Sequence, residues 1–146
     1  QEKTIAKLLY IFERFWQEIL RFSRRTESQI NHWAARYGYK DRGEEILKEA
    51  KHGANGRYAC INLTNTDTIE FRVFRGTLKY NTVIATLQFV ANLCRVAISL
   101  PEYRIQEFSW PALIEALTQD NCPELVQYLK ERNLYVNEPV TAEREV

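Results

Sequence analysis

The segment TIEFRVFRG, Thr68 to Gly76, sets a carboxylate and a guanidinium two residues apart and adds a third charge at Arg75. Alternate side chains of a strand share a face, so Ile69, Phe71 and Val73 point one way while Thr68, Glu70, Arg72 and Phe74 point the other. Glu70 and Arg72 then stand about 7 Å apart by the rise per residue. A fixed carboxylate suits a hard divalent cation such as magnesium, which completes its shell with water and phosphate oxygens. A planar guanidinium suits a carboxylate or a phosphate. Together the pair can hold the reacting ends of a phosphoryl or acyl transfer, with Arg75 just past the strand in reach of a phosphate. The competing reading is a solvated ion pair on an exposed strand face, worth little.

Arg57 and Asn62 are secondary candidates on the preceding strand. They alternate to opposite faces unless a bulge intervenes. A two-residue loop sets Ile61 opposite Glu70, and a three-residue loop sets Asn62 there. His52 reads as a helix-end histidine, His32 as structural, and the two have no metal-ligand spacing. Gln88, Asn92 and Arg95 make a polar stripe at spacings of four and three, either a hydrated face or one turned to the site.

The elements that position these residues follow from periodicity. Residues 3 to 22 read as one helix, with Ile5, Leu8, Leu9, Phe12, Phe15, Trp16 and Ile19 on its apolar face. Its polar face carries Lys3, Lys7, Glu13, Gln17 and Arg21. A second helix is expected over 27–37, capped by Thr26 or Ser28, and a third over 44–51. HGANG is a loop. The two strands are expected over 57–63 and 68–74, joined by TNTD. A long helix over 81–99, apolar on most faces, is the expected cover for the hairpin and is stopped by Pro101. Ser109 caps SWPALIEAL, and Asn121 stands three residues before Glu124 as in a capping box. Residues 137–146 read as a frayed tail. The fold class is α+β: helix-rich, with one antiparallel hairpin packed on helices.

Composition narrows the function classes. The 146 residues suffice for one hydrophobic core. Twenty basic residues against nineteen acidic give a net charge of +1, so charge offers no reason to expect nucleic acid or an anionic membrane as partner. The most apolar stretch, Val83 to Leu100, is interrupted by Gln88, Asn92 and Arg95, short of the roughly 20 apolar residues of a membrane span. Cys60, Cys94 and Cys122 are odd in number and form no CxxC pair, which points to a reducing cytoplasm and to small buried residues. Ser23-Arg24-Arg25 is too short to read as a basic patch.

The pattern RYACINLTNTDTIEFRVFRGTL, followed by a long apolar helix, resembles the strand-pair segment of the amidoligase family. That family is similar to glutamate–cysteine ligases and glutamine synthetases, which carry an IE-x-R strand in the corresponding place. The resemblance implies a magnesium ligand at Glu70 and an acidic group of the substrate held by Arg72. Beside them, Arg75 joins Arg72 as an expected catalytic residue, and Arg57 and Asn62 join Arg72 as expected substrate- and ATP-binding residues. The cofactors implied are ATP and Mg2+, and the partners a nucleotide, a carboxylate and an amine, with room for a homo-oligomer. Such ligases complete their metal cluster from earlier acidic strands and a His-containing strand, which this sequence does not supply. The expectation is therefore that residues 1–146 are the C-terminal part of such an enzyme. They would form part of a larger glutamine synthetase-like sheet and be inactive alone as a half-site. The alternative is a non-enzymatic helical interaction domain with a solvated Glu-x-Arg strand.

Overall fold

Leu8, Leu9, Ile11 and Phe12 are all buried, as are Trp16, Ile19 and Phe22 a few residues on, so the stretch from 8 to 22 forms the centre of a core. In the computed structural model, which describes residues 1–52, 59–65 and 67–135, the chain divides into two units, Gln1–Arg75 and Gly76–Val146. The expected tail at 137–146 lies outside the described residues. Helix-rich α+β architecture with a two-stranded antiparallel sheet is what the described residues form.

The first unit opens with two helices where the spacing predicts one. α1 (Glu2–Arg14) and α2 (Trp16–Ser23) are separated by Phe15 at ψ 35°. The hydrogen-bond ladder survives on both sides, from Phe15 N–H to Ile11 and from Ile19 N–H to Phe15. With the break, Leu8, Ile11 and Phe12 on one helix and Trp16, Ile19 and Phe22 on the other are all buried. Glu13 and Arg21, expected on a polar face, are buried as well. The reason at Glu13 is a partner: Arg36 reaches its carboxylate at 2.6 Å and 2.8 Å, and the Tyr37 N–H donates to its other oxygen at 2.9 Å.

α3 (Glu27–Trp33) starts on a full capping box, in which Thr26 accepts from the Gln29 N–H and the Gln29 side chain answers the Thr26 N–H. It ends four residues before the expected Tyr37. Beyond it, Ala35 bridges Ala59 in parallel and Arg36 and Tyr37 turn to Glu13. α4 (Gly43–Lys51) packs on α1.

Among the described residues, which do not include 57 and 58, the hairpin is shorter than the expected 57–63 and 68–74. β1 (Ile61–Asn62) and β2 (Glu70–Phe71) pair Ile61 with Phe71 and Asn62 with Glu70. One more ladder bond runs from Arg72 N–H to Cys60. Past that point other groups take the backbone, because Arg25 donates to the carbonyls of Arg72, Val73 and Phe74 and Arg75 N–H donates to Ser23. Phe71 packs on Phe12 of α1, and Val73 is buried. Phe74, expected beside the charges, instead meets the Phe22 ring edge-on at 5.7 Å. The helix expected to cover the hairpin belongs to the second unit.

In the second unit α5 (Tyr80–Ser99) packs on α8 (Pro123–Glu131) and α7 (Trp110–Leu117). α6 (Glu102–Gln106), absent from the periodicity reading, is a single short turn started by Pro101. Ser109 caps α7 as expected, accepting from Ala112 N–H at 3.2 Å. The capping box at Asn121 does not form. Cys122 occupies the N-cap position without a side-chain capping bond, and the Glu124 carboxylate accepts from Gln88. By length and composition α5 meets the description of a membrane span, with a mean hydropathy of 1.5 over its best window, contrary to the reading of an interrupted stretch. Core helices of soluble proteins meet it too, and a third of that window is buried.

Candidate functional site

The register decides which first-strand residue accompanies Glu70. It is Asn62, whose side-chain amide donates to Glu70 Oε1 at 3.1 Å while its Oδ1 accepts from the Thr64 N–H and hydroxyl. Asn62 is therefore a buried anchor at the start of the connection between the strands. Arg57 lies outside the described residues. Arg72, two residues along β2 and its continuation, brings Nη1 to the same Glu70 oxygen at 3.4 Å. The three expected side chains Asn62, Glu70 and Arg72 thus converge on one point.

Exposure differs across this group. The Glu70 side chain is 47% exposed and that of Arg72 21%. An ion pair this long and this wet contributes little stability, so its weight lies in the charges it presents to solvent. Arg75 is exposed, with its N–H on Ser23 and its carbonyl accepting from Arg24 Nη2.

Two arginines that the sequence reading set aside join these residues. Arg25 holds the Val73 carbonyl through Nε at 2.9 Å, with longer contacts to the carbonyls of Arg72 and Phe74. Burial, then the positive charges of Arg72 and Arg75, pull the Arg25 guanidinium below its ordinary pKa. Arg24 ends α2 in a left-handed conformation, φ 61°. The local signal was the Arg-Arg pair itself. Its meaning depends on contacts about 50 residues away in sequence, and no local pattern encodes those.

Other candidates are structural. Gln88 donates to Glu124 at 2.9 Å and accepts the Leu125 N–H, closing the N-terminus of α8. That bond is the main reason the Glu124 carboxyl lies below its usual range. Arg95 donates to the Ala116 carbonyl near the end of α7. The polar stripe thus joins helices within its own unit. His32 stacks edge-on with Trp33, and both histidines are exposed. Cys60 and Cys122 are buried, as expected, while Cys94 is half-buried. A hollow of about 340 Å³ between α1 and α4, lined by Glu2, Lys3, Ala6, Glu44, Leu47, Lys48 and Lys51, includes no residue of the hairpin.

Among the described residues no group of three His, Cys, Asp or Glu side chains comes together in metal-binding proximity. Glu70 offers a single carboxylate, and one of its oxygens already accepts from Asn62 and Arg72. Magnesium uses as few as one or two carboxylates when waters and phosphates fill the remaining positions. Glu70 fits as one ligand of such a centre, but the described residues do not make a complete one. No family model, curated protein or solved structure matches this chain.

Proposed function

We propose that this chain contributes a half-site to an ATP-dependent ligase that joins a carboxylate to an amine. Chief support comes from the convergence of Asn62, Glu70 and Arg72 on one side of a two-stranded ribbon, with the carboxylate half open to solvent. The IE-x-R pattern and its resemblance to amidoligases give the reaction class. In this reading the strand pair belongs to a glutamine synthetase-like sheet whose other strands lie in another part of the enzyme, in a reducing compartment.

Glu70 would hold a magnesium ion, with Asn62 fixing one oxygen of its carboxylate by a hydrogen bond. When bound, the ion supplies charge neutralisation between nucleotide phosphates. Arg72 holds the acidic group that receives the γ-phosphoryl of ATP, and Arg75 faces the phosphate end. A carboxylate oxygen of that acidic group would take the γ-phosphoryl as ADP leaves. The amine nitrogen would then attack the acyl carbon, expelling inorganic phosphate and giving up one proton to form the amide. Catalysis of this kind rests on positioning and charge, since little covalent chemistry falls to the protein.

Calorimetry with magnesium and ATP on the full-length protein tests the reading. Binding is expected to weaken by about tenfold or more in Glu70→Ala and in Arg72→Ala, a loss of about 1.4 kcal/mol or more. Unchanged nucleotide affinity and turnover in both variants would sink it. One observation favours the non-enzymatic alternative: Tyr80, Leu87 and Ile98, spaced along α5, are 73%, 62% and 69% exposed. An apolar helix face of that kind suits a protein-interaction domain.

A further inference from the structure

The turn after α2 and the segment after β2 are fastened together by arginines. Arg24 donates to the Arg75 carbonyl, Arg25 to the Val73 carbonyl, and Arg75 N–H donates back to Ser23. Clamps of this sort need hydrogen-bond donors, not net charge, and serine, asparagine or glutamine side chains supply donors without repulsion. Here Arg24 and Arg25 each bring a guanidinium to the segment that carries Arg72 and Arg75. Arg25 is held against the backbone of Arg72, and the charges of Arg72 and Arg75 act on it directly. Arg24, moreover, adopts a left-handed conformation that a glycine or an asparagine takes more readily. An arginine at a left-handed helix end and guanidinium groups fastened side by side are features that a shared anionic ligand would explain.

We propose that Arg24, Arg25, Arg72 and Arg75 form a binding site for a multiply charged phosphate anion of the di- or triphosphate class. The site shares Arg72 and Arg75 with the ligase reading but requires neither a metal nor turnover. Guanidinium groups match phosphate oxygens in pairs through their planar N–H donors. A phosphate chain offers more oxygens and more negative charge to several guanidinium groups than a single phosphate does. The clamps hold the Arg24 and Arg25 side chains in place before the anion arrives, which reduces the ordering cost of binding.

The test is calorimetric titration of the full chain with inorganic pyrophosphate, without magnesium and at low ionic strength, beside inorganic phosphate. Pyrophosphate is expected to bind at least tenfold more tightly than phosphate. Arg75→Gln, at an exposed position, should weaken pyrophosphate binding about tenfold, and so should Arg24→Asn, which keeps a residue tolerant of positive φ. Glu70→Gln should leave metal-free binding intact or tighten it, although the ligase reading requires the same change to damage magnesium–nucleotide binding. The two ideas can therefore fail separately. Absence of pyrophosphate binding, or a change below threefold in both arginine variants, overturns the proposal.

Discussion

Asn62 and Glu70 face each other across the hairpin, and the amide of the buried residue donates to the carboxylate of the exposed one at 3.1 Å. The pair ties the ribbon's interior to its charged surface. Asn62 also holds the Thr64 N–H and hydroxyl, so it sets both the carboxylate and the start of the connecting loop. Asn62→Ala removes all of these bonds and should lower stability by about 1–2 kcal/mol, read as a shift in the urea midpoint with an unchanged slope. Asn62→Asp keeps the shape but puts a carboxylate opposite Glu70, and directly opposed like charges destabilise a sheet. Its cost should shrink as salt rises. A salt-independent cost would show that the two carboxylates do not meet.

Glu13 carries the larger structural load. It is buried on α1, receives two contacts from Arg36 and one from the Tyr37 backbone, and Arg36 in turn lies over the Trp16 ring at 4.9 Å. Truncating one member of a fully buried pair costs about 3–5 kcal/mol. The Arg36 side chain is 36% exposed, so Glu13→Ala is expected nearer about 2–3 kcal/mol. Chemical unfolding followed by tryptophan fluorescence measures it. A loss below about 1 kcal/mol would mean that solvent already screens the pair.

How much of this was legible in the sequence depended on the range of the interactions. Apolar spacing located α1, α4, α5 and α7 because burial of one stripe is a local property of a helix. Thr26 and Ser109 announced their helix starts for the same reason. Phe15 gave no warning of the break between α1 and α2, since neither glycine nor proline stands there. Glu13 read as solvated because Arg36, 23 residues on, is invisible to a helical wheel. Strand lengths were overestimated because Arg24 and Arg25, about 50 residues away, take over the backbone after Phe71. Glu70 and Arg72 were singled out by their spacing together with the resemblance, and choosing Asn62 over Ile61 as the residue opposite Glu70 needed the register of the fold.

Tyr37 supplies a pH dependence with a definite sign. Its hydroxyl donates to the Ile61 carbonyl at 2.7 Å, and burial, with Cys60 and Glu13 nearby, pushes its pKa up from 10.0 to about 12. A raised pKa in the folded state means that the unfolded chain loses this proton first. Stability from this group is therefore complete below about pH 10 and is lost as pH climbs toward about 12. The group is only about half buried, so solvent reduces the effect to about 1 kcal/mol. Urea midpoints collected across that range should fall more steeply for wild type than for Tyr37→Phe. Parallel profiles would show that the hydroxyl ionises as freely in the folded chain as in the unfolded one.

Gly43 opens α4 where that helix comes closest to α1. A Cβ built there would lie 2.3 Å from the Ala6 carbonyl oxygen and 2.8 Å from its carbon, both backbone atoms that cannot swing aside. Replacing glycine by alanine within a helix ordinarily gains about 0.5–1 kcal/mol, and less at a first-turn position. Overpacking costs about 1–3 kcal/mol, and contact with backbone belongs at the upper end. The steric term therefore wins, and Gly43→Ala should destabilise the first unit. In a domain of 60–100 residues each 1 kcal/mol moves Tm by about 4–8 °C, so thermal unfolding should show a drop of roughly 5–15 °C. Gly76→Ala is the control, because a Cβ there meets no atom within 4 Å and should change stability by less than about 0.5 kcal/mol. If Gly43→Ala melts at or above wild type while Gly76→Ala is neutral, α1 and α4 do not approach as closely as Ala6 and Gly43 indicate.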